Sequence, residues 1–254
     1  MVLEITGILE QVIDMKRTLT MGVILVLLLA CIGVASANLV ANGGFEAPVV
    51  THASGWNIYP SGITPGLGWT VVWVGNAGSY GGLTLPIIAN LELQRSNAAG
   101  IPPFEVDQYA ELDTDWDGPD GSVSGEPANV KISQDIVTPV GAKYKVSYEQ
   151  RCRVDGCQLQ FDWSGALPQV TAGTTAGWTK FEFADLEATQ NPTTIAFTDK
   201  GTPDSIGTLI DAVEVEETSR PPIPAPEFPT MALPAALIVG MLGAVLFIQR
   251  TKEN

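Results

Sequence analysis

Lys143-Tyr144-Lys145-Val146-Ser147-Tyr148-Glu149-Gln150-Arg151-Cys152-Arg153, then Val154-Asp155-Gly156, then Cys157-Gln158-Leu159-Gln160-Phe161-Asp162-Trp163, is the stretch on which the reading of this chain turns. Side chains alternate along a strand, so Tyr144, Val146, Tyr148, Gln150 and Cys152 share one face, and Cys157, Leu159, Phe161 and Trp163 share another. Residues 153–156 read as a hairpin loop. That loop sets Cys152 opposite Cys157, Gln150 opposite Leu159, Tyr148 opposite Phe161 and Val146 opposite Trp163. A disulfide between the two cysteines closes a very short loop, removes little chain entropy and serves to pin register. The other face shows Ser147, Glu149 and Arg151 beside Asp162, Gln160 and Gln158. Amides, a carboxylate and a guanidinium in a row can hydrogen-bond sugar hydroxyls. The same row also suits a solvated outer face.

Outward from this hairpin, short alternating stretches are separated by Gly, Pro, Asn and Asp, and no run of ten residues keeps a 3.6-residue period. Strands are expected at 39–41, 69–74, 90–94, 108–113, 130–137, 143–153, 157–163, 178–183, 194–198 and 208–215. This is an all-β pattern, and it predicts one two-sheet sandwich or jelly roll over residues 38–217. Trp69 and Trp73 are four apart and so face the same way, either into the core or as a sugar platform. His52, the one histidine, reads as a loop residue.

The ends have a different chemistry. Residues 15–37 combine basic Lys16-Arg17, an apolar run from Met21 to Val34 and the small-x-small end Ala35-Ser36-Ala37, the pattern of a signal peptide cleaved after Ala37. Residues 1–14 carry three acids and no base, so Met15 is the expected start, and Cys31 reads as an ordinary cysteine of the apolar run. Beyond the domain, residues 218–230 form a proline-rich and therefore extended spacer. Residues 231–249 follow as an apolar span, with no charge from Met231 to Ile248, and residues 250–254 as a basic tail holding Arg250 and Lys252. This orientation puts the folded domain outside.

Four acids and four bases in the two ends cancel, so the whole net charge of −15 lies between Asn38 and Thr230. So acidic a domain repels phosphate backbones, which argues against a nucleic-acid partner. Three cysteines become two once the leader is removed, leaving Cys152 and Cys157 to pair in an oxidising compartment. A nucleophile elbow, a His-Glu-x-x-His helix and a phosphate-cradling glycine loop are all missing from the sequence, so a binding or structural role is expected rather than an enzyme.

Two resemblances sharpen this. Pro226-Glu227-Phe228-Pro229, the single apolar span and the basic end resemble the PEF-CTERM sorting signal of methanogenic archaea. The resemblance implies a cell-surface protein handled by signal peptidase and by an archaeosortase-type processing enzyme, held at the membrane by its C-terminal helix or a lipid. A plain membrane anchor is the alternative. The opening Asn38-Leu39-Val40-Ala41-Asn42-Gly43-Gly44-Phe45-Glu46, then Gly68-Trp69-Thr70-Val71, Tyr109-Ala110-Glu111-Leu112-Asp113, Ile132-Ser133-Gln134-Asp135-Ile136, Gly141-Ala142-Lys143-Tyr144 and the closing Gly207-Thr208-Leu209-Ile210-Asp211-Ala212-Val213 resemble the galactose-binding-like jelly roll of carbohydrate-binding modules. That resemblance implies envelope or extracellular glycans as partners, and a structural Ca²⁺ held by Glu46 and Asp211 together with backbone carbonyls.

A separate acidic cluster, Asp113-Thr114-Asp115-Trp116-Asp117-Gly118, has the Asp-x-Asp-x-Asp-Gly spacing of a calcium loop. Position 12 is Ser124 where such a loop has Glu, so the cluster reads as a Ca²⁺ site or as a solvated acidic turn. Trp116 within it is a candidate to stack on a sugar ring, alongside Glu149, Arg151, Gln158 and Gln160 as polar contacts. Two functions follow: a surface carbohydrate-binding or adhesion module, or a calcium-stiffened structural protein of the envelope with no specific glycan. Mass spectrometry of the exported protein is expected to give Asn38 as its first residue, and of the precursor Met15; a mature protein that retains residues 15–37 would overturn the leader assignment.

Overall fold

Alternation along the central stretch holds, but its two strands do not pair with each other. The computed structural model describes residues 37–75, 87–116 and 127–221. Its elements are β1 (Trp56–Pro60), β2 (Thr70–Trp73), β3 (Asn90–Arg95), α1 (Ser96–Ala99), β4 (Gln108–Glu111), β5 (Asp113–Asp115), β6 (Pro127–Ile136), β7 (Lys143–Cys152), β8 (Gln158–Trp163), β9 (Gln169–Ala172), β10 (Thr179–Glu187), β11 (Thr193–Asp199) and β12 (Thr208–Ser219). One sheet runs β1-β3-β4-β12-β7-β10 and the other β2-β6-β11-β8-β9, with β5 beside β6. The described residues thus form an all-β, two-sheet sandwich whose strand pairs are antiparallel.

β7 lies between β12 and β10 in the first sheet, and β8 between β11 and β9 in the second. Residues 153–156 therefore carry the chain from one sheet to the other, and the Cys152–Cys157 disulfide staples the layers together. The expected hairpin register is corrected by this, yet the inward face is as read. Tyr148 meets Phe161 with ring centroids 6.2 Å apart and Tyr144 meets Trp163 at 5.4 Å, both across the core. Alternation determines which side of a strand is apolar but not whether its apolar partner lies beside it or above it. Two strongly aromatic faces bury more area when stacked face to face.

Around Tyr148 the core is nearly all aromatic: Phe181, Phe183 and Phe197 surround it at 5.7, 6.2 and 5.0 Å, and Phe161 sits 4.7 Å from Phe183. The Tyr148 hydroxyl shares a hydrogen bond with Thr171 Oγ1 (2.9 Å), which donates to Gln150 Oε1 (2.6 Å), so these three buried polar atoms are partnered. Trp69 is core as well, stacked on Phe45 at 5.6 Å with its Nε1 donating to the Asn42 carbonyl, and Trp73 packs against the same cluster. His52 sits in a turn, with Nδ1 2.6 Å from Ser54 Oγ.

Residues 39–41 form no strand. Leu39 N–H bonds Val215 O (3.1 Å), but Asn38 takes Val213 O and Val215 N–H (2.8 and 2.9 Å), and Gln134 takes both backbone groups of Ala41. Two amide side chains thus supply the bonds that a ladder would. β1, β9 and α1 lie outside the expected strands, β5 shares only Asp113 with the expected 108–113 strand, and β12 runs on to Ser219, held by Lys145–Glu216 at 2.8 Å. The leader through Ser36, Asp117, the Pro226–Pro229 motif, the 231–249 span and the 250–254 tail lie outside the described residues.

Phe161→Ala is expected to cost about 3–5 kcal/mol of stability, and Gln158→Ala, on the exposed outer face of β8, less than about 0.5 kcal/mol. Denaturant midpoints of the two variants check this, and a Phe161→Ala midpoint equal to the parent's would contradict the stacked core.

Candidate functional site

The same alternation that sends Leu91, Leu93 and Ala110 inward sends Glu92, Gln94, Tyr109 and Glu111 to the outer face of the first sheet. There they are buried rather than solvated. Gln94 Nε2 donates to Glu92 Oε1 (2.6 Å) and also to Glu111 Oε2, while the Tyr109 hydroxyl donates to Gln94 Oε1 (3.0 Å). Arg153, the residue after the stapled Cys152, inserts its Nη1 against both oxygens of Glu111 at 2.9 and 2.8 Å and against Ser205 O at 3.1 Å. Gly207 N–H donates to Glu111 Oε1 (2.7 Å), and Asp115 N–H to Glu92 Oε2 (3.2 Å).

Above this floor lies a cavity of about 320 Å³. Trp56, next to Gln94 on β1, forms one wall; Asp115 and Arg153 stand with Asp204, Ser205 and Ile206 around the rest, and Ala98 closes the α1 side. Burial pushes the Glu92 carboxyl up to about 7, against the opposing pull of the Gln94 amide, the Asp115 N–H and Arg153. Glu111 is raised too, by burial and by Glu92, in spite of its Arg153 partner. Near neutral pH the site therefore retains a proton that exposed carboxylates would have lost. It offers an aromatic plane beside a fixed set of amide, carboxyl and guanidinium groups, able both to donate and to accept.

The residues singled out in the sequence fall in several places. Glu149 and Arg151 share the outer face of the first sheet with this cavity, but Ile101, Tyr109, Leu209, Ala99 and Trp178 form a small apolar cluster over the middle of that face. Arg151 Nη2 bonds Thr175 O at 3.4 Å, and burial raises the Glu149 carboxyl against the pull of Lys180. Gln158 and Gln160 lie on β8, on the outer face of the other sheet, where Gln160 donates to Asp162. The expected single row of Glu149, Arg151, Gln158 and Gln160 is thus divided between opposite sides of the sandwich, because β7 and β8 stack instead of pairing.

Asp113 and Asp115 lie in strand β5, opposite Asn129 and Pro127 of β6, so these two carboxylates of the calcium-loop spacing sit on extended backbone, while Asp117 lies outside the described residues. Asp115 reaches the cavity wall, and half-buried Trp116 follows it. Glu46 and Asp211 converge on one loop, each through one oxygen: Glu46 Oε1 accepts from Asp107 and Gln108 N–H (2.9 and 3.0 Å), and Asp211 Oδ2 from Phe104 and Glu105 N–H (2.9 and 3.2 Å). Asp211 Oδ1 accepts from Ala212 N–H at 2.7 Å. Among the described residues no three His, Cys, Asp or Glu side chains stand together as a metal set. At this corner the carboxylates brace the 104–108 loop.

Trp56, Glu92, Gln94 and Arg153 were not singled out by sequence. The available signal was the strand at 90–94, whose outward polar positions look like ordinary solvated ones until α1 and the 204–206 turn are folded over them.

No family model matches the sequence, and no curated protein matches it. Among solved structures the chain is similar to TmCBM61, determined in complex with β-1,4-galactotriose (14% identity, 72% of this chain and 99% of that one, TM-score 0.40). It is also similar to a CBM4 module (16% identity, 70% and 99%, TM-score 0.33) and to the CBM22-1 xylan-binding domain of Paenibacillus barcinonensis Xyn10C (12% identity, 61% and 88%, TM-score 0.33). These neighbours are carbohydrate-binding modules with a β-sandwich fold. At such scores the likeness concerns the sandwich and carries no assignment of ligand.

A carboxyl whose pKa is raised on folding adds stability below its unfolded value that is lost as pH rises through the folded one. For Glu92 that window runs from the ordinary 4.5 to about 7. Thermal melts from pH 4.5 to 8 are expected to show a smaller fall in Tm for Glu92→Gln than for the parent; parallel curves would show that Glu92 is not the proton holder.

Proposed function

We propose that this chain is a non-catalytic carbohydrate-binding module of the cell surface, and that the cavity between Trp56 and Arg153 is its sugar site. The observation that carries the reading is the pairing of an aromatic wall with a rigid floor of Gln94, Glu92, Glu111 and Arg153. Vicinal hydroxyls of a sugar need donors and acceptors alternating at fixed positions, and the apolar face of the ring needs an aromatic plane. The cavity falls at the small end of ligand-pocket volumes, which suits one end or a short stretch of a glycan. A hydrolytic role is disfavoured because Glu111 is held by Arg153 and both carboxylates are tied to one amide, so neither stands free as nucleophile or base.

Export rests on the 15–37 leader and on a disulfide suited to an oxidising compartment. Surface attachment rests on the 226–229 motif and the 231–249 span, with signal peptidase and an archaeosortase-type enzyme as processing partners. The competing reading is a structural envelope protein with no specific glycan.

Full-length chain is titrated against a glycan array and envelope polysaccharides. Saturable binding is expected, weakened about tenfold or more by Trp56→Ala or Gln94→Ala and left unchanged by Gln158→Ala on the far sheet. Absence of saturable binding would favour the structural reading, and equal loss in all three variants would move the site elsewhere.

A further inference from the structure

We propose a hard divalent cation site, for Ca²⁺ by the nature of its donors, with Asp113, Asn129 and Asp199 as side-chain ligands. It shares Asp113 with the acidic cluster that the sequence suggested but takes its other two ligands from β6 and β11, it is distinct from the Glu46–Asp211 corner, and it does not depend on the sugar reading.

Asp113 on β5 and Asn129 on β6 are direct cross-strand partners, and Asp199 ends β11, the neighbour of β6. Asn129 Nδ2 donates to Gly201 O at 2.7 Å, which draws the turn after β11 over this pair. The three side chains are 1%, 6% and 1% exposed. In each, one polar atom is engaged: Asp113 Oδ2 by Asp204 N–H (2.7 Å), Asp199 Oδ1 by Thr208 Oγ1 (2.8 Å) and Gly201 N–H (3.3 Å), and Asn129 through its Nδ2. In each, the second oxygen is buried with no hydrogen-bond partner: Asp113 Oδ1, Asp199 Oδ2 and Asn129 Oδ1.

Buried unpaired acceptors are costly, and buried carboxylates without a counter-charge more so. Here the 199–204 turn touches all three side chains, through Asp199 itself, the Gly201 carbonyl on Asn129 and the Asp204 N–H on Asp113, and no ion pair of the described residues involves Asp113, Asp199 or the adjacent Asp204. With both carboxyls ionised, none of the three can satisfy the others, because all three orphaned atoms are then acceptors. A cation satisfies all three at once. Two carboxylates and an amide oxygen form a hard, all-oxygen set, the preference of Ca²⁺ over softer metals.

The fold keeps this turn close. A Cβ at Gly207 would lie 2.2 Å from Asp113 Cβ, so only glycine lets the turn reach the strand. The same turn supplies Asp204, Ser205 and Ile206 to the neighbouring cavity. Occupancy of the cation site would therefore order that cavity's wall.

The test is calorimetric titration of chelator-treated, full-length chain with CaCl₂ alone, and thermal melts in CaCl₂ and in EDTA. The parent is expected to bind Ca²⁺ with a Kd of about 10⁻³ M or tighter and to melt higher in CaCl₂. Asp113→Asn and Asp199→Asn, each alone, are expected to weaken binding at least tenfold. Each is also expected to melt no lower than the parent in EDTA, since an uncompensated buried charge has been removed. Glu46→Gln is expected to retain the binding. A parent that neither binds Ca²⁺ nor changes its melt overturns the site, as does binding that survives both Asp variants or is lost in Glu46→Gln. Should both Asp variants fail to fold, calcium binding retained in Glu46→Gln supports the assignment and its loss there overturns it.

Discussion

The crossing from Cys152 to Cys157 is the constraint on which the rest of the structure depends. It carries the chain from one sheet to the other, and the disulfide holds the two strands at a separation that lets Tyr148 and Phe161 meet in the core. With the layers locked there, the aromatic faces of β7, β8, β10 and β11 fill the interior. The same crossing also delivers Arg153 to the outer face of the first sheet, beside Glu111. A four-residue turn thus sets both the depth of the core and the chemistry of the cavity.

The cavity floor is energetically expensive. Glu92 and Glu111 are buried together, and one guanidinium and one amide offset only part of their desolvation. Sandwich folds do not require buried acids on an outer sheet face, so their presence in an aromatic-walled cavity is the observation behind the proposed sugar site. Rigidity is the compensating gain. Each donor and acceptor is held by at least one neighbour, so little order would have to be imposed when a ligand binds.

The 201–207 turn joins two parts of the surface that the sequence keeps far apart. It packs on Asp113 through Gly207, takes the amide of Asn129 at Gly201 and presents Ser205 O to Arg153. The proposed cation and sugar sites are therefore neighbours that share a wall, and a change in one would be felt in the other through this turn. The Glu46–Asp211 corner is built differently, with its carboxylates bracing loop amides at 104–108.

Strand alternation made the all-β class, the inward aromatic set and the Cys152–Cys157 pairing legible from the sequence alone, because side-chain direction in a strand depends only on parity. It also showed that Trp69 and Trp73 face the same way, and the structure placed both with the core. What it left undetermined is whether two apolar faces meet edge to edge or face to face, since both satisfy the same pattern. That ambiguity separated Glu149 and Arg151 from Gln158 and Gln160, while Glu92 and Gln94 stayed hidden because outward polar positions on a strand look solvated until other segments cover them. Asp113, Asn129 and Asp199 come from three strands, and no local spacing relates them. Only the tertiary structure decided these matters, because burial and convergence depend on which segments fold over a face, and those contacts join residues far apart in the chain, as Gly207 and Glu111 are.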